Sequence, residues 1–267
     1  MGGLSARLRR IPALVLAIYL AAVCVPARAD ISVWFGAESF RWLEFDANGD
    51  RLLEESGPRY RVGADWSWPF ADRQFMLDVR GSVYLGRVDY DGQACTLAGA
   101  CTPFQTDTDY TGAEVGATVV RRFGDTAGGQ IFAGGGIDSW RRDVKGRGSV
   151  RGAIEDWYVF YAVAGGGAYR SSASSRIDAR VGVKYPFYTE EFPDTYDVVL
   201  NPEGRPSLFA RVSADFLEDG RPRWGLGAYF DSYRWDQSDR EQDGSVLVWQ
   251  PESRQDVFGL YGTIYLR

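Results

Sequence analysis

Ionisable side chains recur at every second position along long stretches of this chain. Arg59, Arg61 and Asp65 share one run, and Asp78 and Arg80 share the next. Glu114, Arg122, Asp156, Arg170, Asp178, Arg180, Lys184, Arg211, Asp215 and Asp231 extend the set. Carboxylates and guanidiniums held on one face can neutralise one another as ion pairs. They can also line a polar path for small solutes, or supply a carboxylate pair for acid–base chemistry. Histidine does not occur in the 267 residues. That removes the commonest general base and metal ligand, and with it any Ser–His or Asp–His machinery. A second group is Asp46, Asn48, Asp50 and Glu54, oxygen ligands at alternating positions that resemble the start of a calcium loop. Arg51 stands where such a loop needs Gly, and Gly57 where it needs Glu. The other reading of the segment is a polar hairpin tip turning at Asn48-Gly49.

The elements that carry these groups read as strands. In Arg59 to Phe70, Tyr60, Val62, Ala64, Trp66, Trp68 and Phe70 fall on one face and the charges on the other. Period two means a strand between two different environments. The alternation returns around Phe75–Leu85, Ala113–Val119, Ile177–Tyr185, Leu208–Phe216, Trp224–Asp231 and Phe258–Leu266. Three further strands are less regular. Residues 31–45 mix their apolar phase near Glu38, 130–142 are rich in Gly, and 157–170 are apolar on both faces near Phe160. The total is ten strands, with eight or twelve as alternatives. Connections alternate long and short, the long ones near 46–57, 89–109, 143–155, 190–206 and 236–256. Short turns at one end and long loops at the other mark a transmembrane barrel. The expected fold is all-β, one antiparallel up-and-down transmembrane β-barrel with the apolar face toward lipid. The ionisable set above then faces the lumen, which ten strands leave narrow enough for side chains to fill.

The N-terminus agrees with export. Arg7, Arg9 and Arg10 precede an apolar run from Ile11 to Val25, and Ala27-Arg28-Ala29 offers a cleavage site. A leader at 1–29 and a barrel at 30–267 are expected. Removing four Arg and no acid with the leader takes the net charge from −6 to −10, which argues against nucleic acid as a partner. The mature chain has no apolar run of transmembrane-helix length, but a barrel strand hides its apolar residues in alternation. In an exported chain Cys95 and Cys101 are expected to form a disulfide, and without His they do not complete a zinc site.

The pattern resembles the Gram-negative outer-membrane β-barrel superfamily over the whole mature chain. That resemblance implies an integral outer-membrane protein with both termini periplasmic, handled by the barrel-assembly machinery and contacting membrane lipid and lipopolysaccharide. Ten strands are also the size of the omptin proteases, but their site needs an Asp–His pair that this chain lacks. The third long loop is basic, and Arg141, Arg142, Lys145, Arg147 and Arg151 are expected to contact lipopolysaccharide phosphates. The expected role is structural or binding, through long external loops, with the lumen closed by ion pairs. The alternative is a narrow passive pore for small polar solutes, and a third reading is a hydrolase without a His base.

Overall fold

The computed structural model describes residues 29–70, 74–95 and 101–266, with nothing stated of the Cys95 side chain. Except for Ala29, the expected leader lies outside these residues, as do 71–73 of the first short turn. Every regular element among the described residues is a strand. In chain order they are β1 (Asp30–Phe45), β2 (Arg51–Phe70), β3 (Phe75–Cys95), β4 (Cys101–Arg122) and β5 (Ala127–Val144). There follow β6 (Ala153–Ser171), β7 (Ser175–Pro193), β8 (Gly204–Arg205), β9 (Ser207–Glu218) and β10 (Arg221–Trp235). The chain ends with β11 (Glu241–Asp243), β12 (Val246–Val248) and β13 (Glu252–Leu266).

Ten of these form the barrel. Each long strand pairs antiparallel with its neighbour in sequence, from β1 through β7, then β9, β10 and β13. The sheet closes where β13 pairs with β1 from Ile31↔Leu266 to Phe45↔Glu252, so no edge is left open to lipid, as the hydrocarbon layer requires. The two-residue β8 pairs with the upper end of β10. β11 and β12 form a separate hairpin on the last long connection, where the sequence has its apolar stretch from Val246.

The outer wall carries an apolar belt. Tyr60, Val62, Val83, Leu85, Ile131, Val181, Leu226 and Leu260 are all exposed. On β2 the belt runs from Tyr60 to Phe70, 11 residues. At ~3.3 Å per residue and a tilt of ~40° this is roughly 25 Å, the height of the lipid-facing band of an outer-membrane barrel. Exposed apolar side chains on this scale are unfavourable in water and favourable in lipid. Aromatics gather at its short-turn edge, where Phe70 stacks on Phe75 and Phe216 on Trp224. Trp34 and Tyr169, also toward that end, instead point inward and are buried.

The strands do not stop where the belt stops. Most of what reads as long loop is strand continuing past the membrane, as in β3 and β4, which stay paired up to Cys95↔Cys101. Polarity inverts along the way. Low on β1, Val33 and Phe35 face out, and Ser32 and Glu38 face in. Higher up, Arg41 faces out, and Phe40 and Trp42 are buried within. This inversion explains the mixed phase near Glu38. The register is regular there and shifts only between Glu44 and Phe45. At Tyr185-Pro186-Phe187 the β6–β7 register also shifts, with Tyr161 opposite Pro186 and Phe160 opposite Tyr188. Pro cannot donate to the ladder, and a bulge is its usual accommodation.

Candidate functional site

The lumen is filled in three tiers. Nearest the short turns is a cavity of about 230 Å³ bounded by Trp34, Asp65, Asp78, Arg80, Arg122, Arg176, Asp178, Arg180, Arg211 and Asp215, among others. Arg180 donates to Asp78 at 2.8 Å and to Asp178 at 2.9 Å. Arg122 lies 3.4 Å from Asp178, and Arg176 donates to Asp215 at 3.1 Å. Arg80 is 3.4 Å from Asp65.

The middle tier is a denser network. Glu38 accepts from Arg59 at 2.9 and 3.1 Å and from Arg61 at 2.5 Å. Arg61 reaches on to Glu114 at 2.7 Å. Lys184 joins Asp231 at 2.9 Å and Glu114 at 3.4 Å. The Tyr161 and Tyr84 hydroxyls donate to Glu114 and Asp138, each at 2.8 Å. Buried charges are tolerable only when paired and hydrogen-bonded in this way.

The upper tier lies beyond the belt and packs buried rings against buried charges. Trp42, Trp157 and Trp235 are fully buried and Trp140 nearly so. Their rings meet at 5.2–6.4 Å, with Trp140 and Trp157 stacked at an interplanar angle of 8°. Arg142 sits among them, 2.7 Å from Glu155, 2.9 Å from Glu55 and 3.3 Å from Glu44. Thr108 and Tyr110 also donate to Glu55. Glu191 is buried nearby with Oε2 unpartnered. It lies opposite Trp157, past the apolar belt. Burial, reinforced by Glu155 and Glu44, pushes its carboxyl well above the usual range.

Outside the barrel at that level runs a collar of ion pairs. Arg41–Glu54 (2.9 Å), Arg87–Asp109 (2.6 Å), Arg141–Asp156 (2.8 Å) and Arg234–Asp256 (2.6 Å) each join adjacent strands. Hydrogen bonds from Arg87 and Lys145 lower the Asp109 carboxyl to about 2.

The sequence-predicted residues sort accordingly. Arg59, Arg61, Asp65, Asp78, Arg80, Glu114, Arg122, Asp178, Arg180, Lys184, Arg211, Asp215 and Asp231 lie within the lumen. Asp156 and Arg170 do not. On β6 it is Trp157 and Tyr169 that point inward, so the adjoining Asp156, part-buried, and Arg170, exposed, lie on the wall. Both lie near strand ends, where the wall has left the lipid and tolerates charge. Arg142 is likewise corrected, being 3% exposed and enclosed by three carboxylates, out of reach of any outer phosphate. Arg141, Arg147 and Arg151 are exposed and Lys145 partly so, Lys145 lying between Asp109 and Asp143. At the expected calcium loop, Asp46 and Glu54 are engaged within the chain. The Asp46 carboxylate accepts from the Asn48 and Asp50 backbone N–H groups, and Glu54 pairs with Arg41 and Arg51. Glu38, Glu44, Glu55, Asp138, Arg176, Glu191 and the four Trp are the lumenal residues that sequence reading missed. For Glu44, Glu55, Glu191 and the four Trp, the signal was the inversion of polarity along each strand.

No protein-family model matches the chain, and no curated protein matches it. Among solved structures, the outer membrane protease OmpT from Escherichia coli superposes with a TM-score of 0.52. The alignment has 10% identity and covers 89% of this chain and 96% of that one. The fold is that of an outer-membrane β-barrel. The transport unit of the autotransporter AIDA-I from Escherichia coli also matches, at a TM-score of 0.45 and 12% identity, over 88% of this chain and 90% of that one. Identity this low carries the fold and no activity.

Proposed function

We propose that this chain is a non-conducting integral barrel of the outer membrane, acting as a structural and binding platform through its long-loop end. The observation that carries the reading is the packing of buried Trp42, Trp140, Trp157 and Trp235, with Arg142 and its carboxylates, inside the upper barrel. A passive pore needs a continuous water path, which packed aromatic rings oppose. In this reading the long-loop end faces outward, both termini are periplasmic, and Cys95–Cys101 is a disulfide fastening one external hairpin.

Lipopolysaccharide is the ligand class we assign to the outer wall. The collar alternates guanidinium and carboxylate just above the apolar belt, where lipid phosphates and their bridging divalent cations lie. Arg pairs phosphate bidentately, and carboxylates suit divalent cations. Arg41, Arg87, Arg141 and Arg234 belong to this surface, with Lys145, Arg147 and Arg151 above them.

Planar-bilayer recording tests the closure. The wild-type barrel is expected to give no channel steps. Trp42→Ala/Trp157→Ala, still folded by its heat-dependent gel migration, is expected to give them. Stable steps from the wild type overturn the closed reading. For the lipid, purified barrel is titrated with lipopolysaccharide and with its dephosphorylated form. Equal binding of the two, or no loss in Arg41→Gln/Arg87→Gln/Arg234→Gln, overturns the assignment.

A further inference from the structure

The lower cavity contains two guanidiniums that the chain leaves short of hydrogen-bond partners. Arg80 lies over the Trp34 indole, 3.8 Å from its centroid, with Tyr261 at 5.2 Å. Its terminal nitrogens, Nη1 and Nη2, are both enclosed and without a hydrogen-bond partner. The carboxylate facing it across the β2–β3 ladder, Asp65, stands 3.4 Å from Nε and has Oδ1 unpartnered as well. Arg211 forms no hydrogen bond or ion pair with any of the described residues. It lines the same cavity as Arg80. It also stands directly opposite Arg180 in the β7–β9 ladder, a like-charge pairing that works against the sheet. Arg180 spends its own donors on Asp78 and Asp178.

A barrel that needed only to fill its lumen gains nothing from three converging guanidiniums, two of them undersatisfied. Buried cations require an anion, and the fork of Arg matches the paired oxygens of phosphate or carboxylate. We infer that the cavity binds a small oxyanion, a phosphate or phosphomonoester, clasped between Arg80 and Arg211 with Trp34 as the floor. Entry is from the short-turn end, because the cavity lining descends to Ser67, Met76, Arg176 and Tyr265 beside the turns. The aromatic tier lies at the other end. The site is separate from the collar and does not depend on lipopolysaccharide binding.

Calorimetric titration of the folded, detergent-solubilised barrel with inorganic phosphate tests this at fixed ionic strength. A parallel titration with glycerol 3-phosphate distinguishes the free ion from a monoester headgroup. Saturable one-site binding of either is expected. Arg211→Gln should weaken it about tenfold or more, the loss of one charged hydrogen-bonding partner. Asp65→Asn, which removes the competing carboxylate, should tighten it. Arg211→Gln should leave heat-dependent gel migration unchanged, since Arg211 supports no other residue. Absence of saturable binding by both probes overturns the inference. So does equal affinity in wild type and a folded Arg211→Gln variant.

Discussion

Arg142→Met tests whether the upper tier is held by charge compensation. Arg142 is 3% exposed and lies within 3.3 Å of Glu44, Glu55 and Glu155, whose side chains are 7%, 0% and 15% exposed. Met keeps most of the volume and removes the cation, leaving three enclosed carboxylates with none. Removing one partner of a buried ion pair costs about 3–5 kcal/mol. Thr108, Tyr110, Trp42 and Gln250 still donate to Glu55 and Glu44, which places the expectation near the lower end. At ~2 kcal/mol per molar urea, that lowers the unfolding midpoint by about 1.5 M on an unchanged slope. Barrel refolded into vesicles, scored by the fraction migrating as the compact unboiled band, gives the measurement. The deficit should shrink as pH falls toward the ordinary carboxylate range, because the enclosed carboxylates, without their cation, take up protons above it. Glu55→Gln added to Arg142→Met should restore part of it. A midpoint shift below about 0.5 M, or a deficit insensitive to acid, would refute charge compensation as the reason for Arg142.

The collar supplies the contrast. Arg87→Gln or Asp109→Asn, an exposed pair, should change the same midpoint by less than about 1 kcal/mol of stability. Glu191 has a folded-state affinity for its proton above the unfolded one, so stability should be greatest below the ordinary carboxylate range. It should fall as pH rises toward the folded value, and Glu191→Gln should flatten that dependence in a pH series of urea midpoints. At Gly63 a Cβ would meet the Gly81 carbonyl at 2.5 Å and the Trp34 ring at 2.6 Å. Gly63→Ala should therefore cost about 1–3 kcal/mol by overpacking in the same assay. Protein recovered from the cell envelope and unfolded without reductant should leave Cys95 and Cys101 unlabelled by a thiol alkylating agent. Mass spectrometry showing both labelled would remove the disulfide.

The alternation at Arg59–Phe70 and its repeats made the ten strands legible, because a wall between lipid and a packed lumen must alternate. The lower and middle tiers followed from the same parity, and most of their ionisable residues lie where alternation puts them. The upper tier was not legible on that rule. Above the belt, water replaces lipid outside and aromatic rings replace charges inside, so the apolar face changes sides without any change in backbone period. Trp157 and Tyr158 are both apolar, one enclosed and one on the wall, and neither reveals its side by type. Asp156 was therefore placed by a rule that had ceased to hold at its height, and Arg142 was read as loop where β5 is still strand. The carboxylates clustered around Arg142 come from β1, β2 and β6, separations that no local motif connects.

The inversion of polarity also gives the barrel a waterline. Were the molecule to sink inward by one strand repeat of two residues, roughly 5 Å after tilt, the collar would enter the lipid. Arg41, Arg87, Arg141 and Arg234 would each meet a penalty of about 1 kcal/mol near the interface, rising with depth. Rising by the same step would wet the exposed rings of Trp68, Phe123 and Trp224. The draught of this protein is thus fixed from both directions by its own wall, and a bilayer of a different thickness would have to deform to meet it.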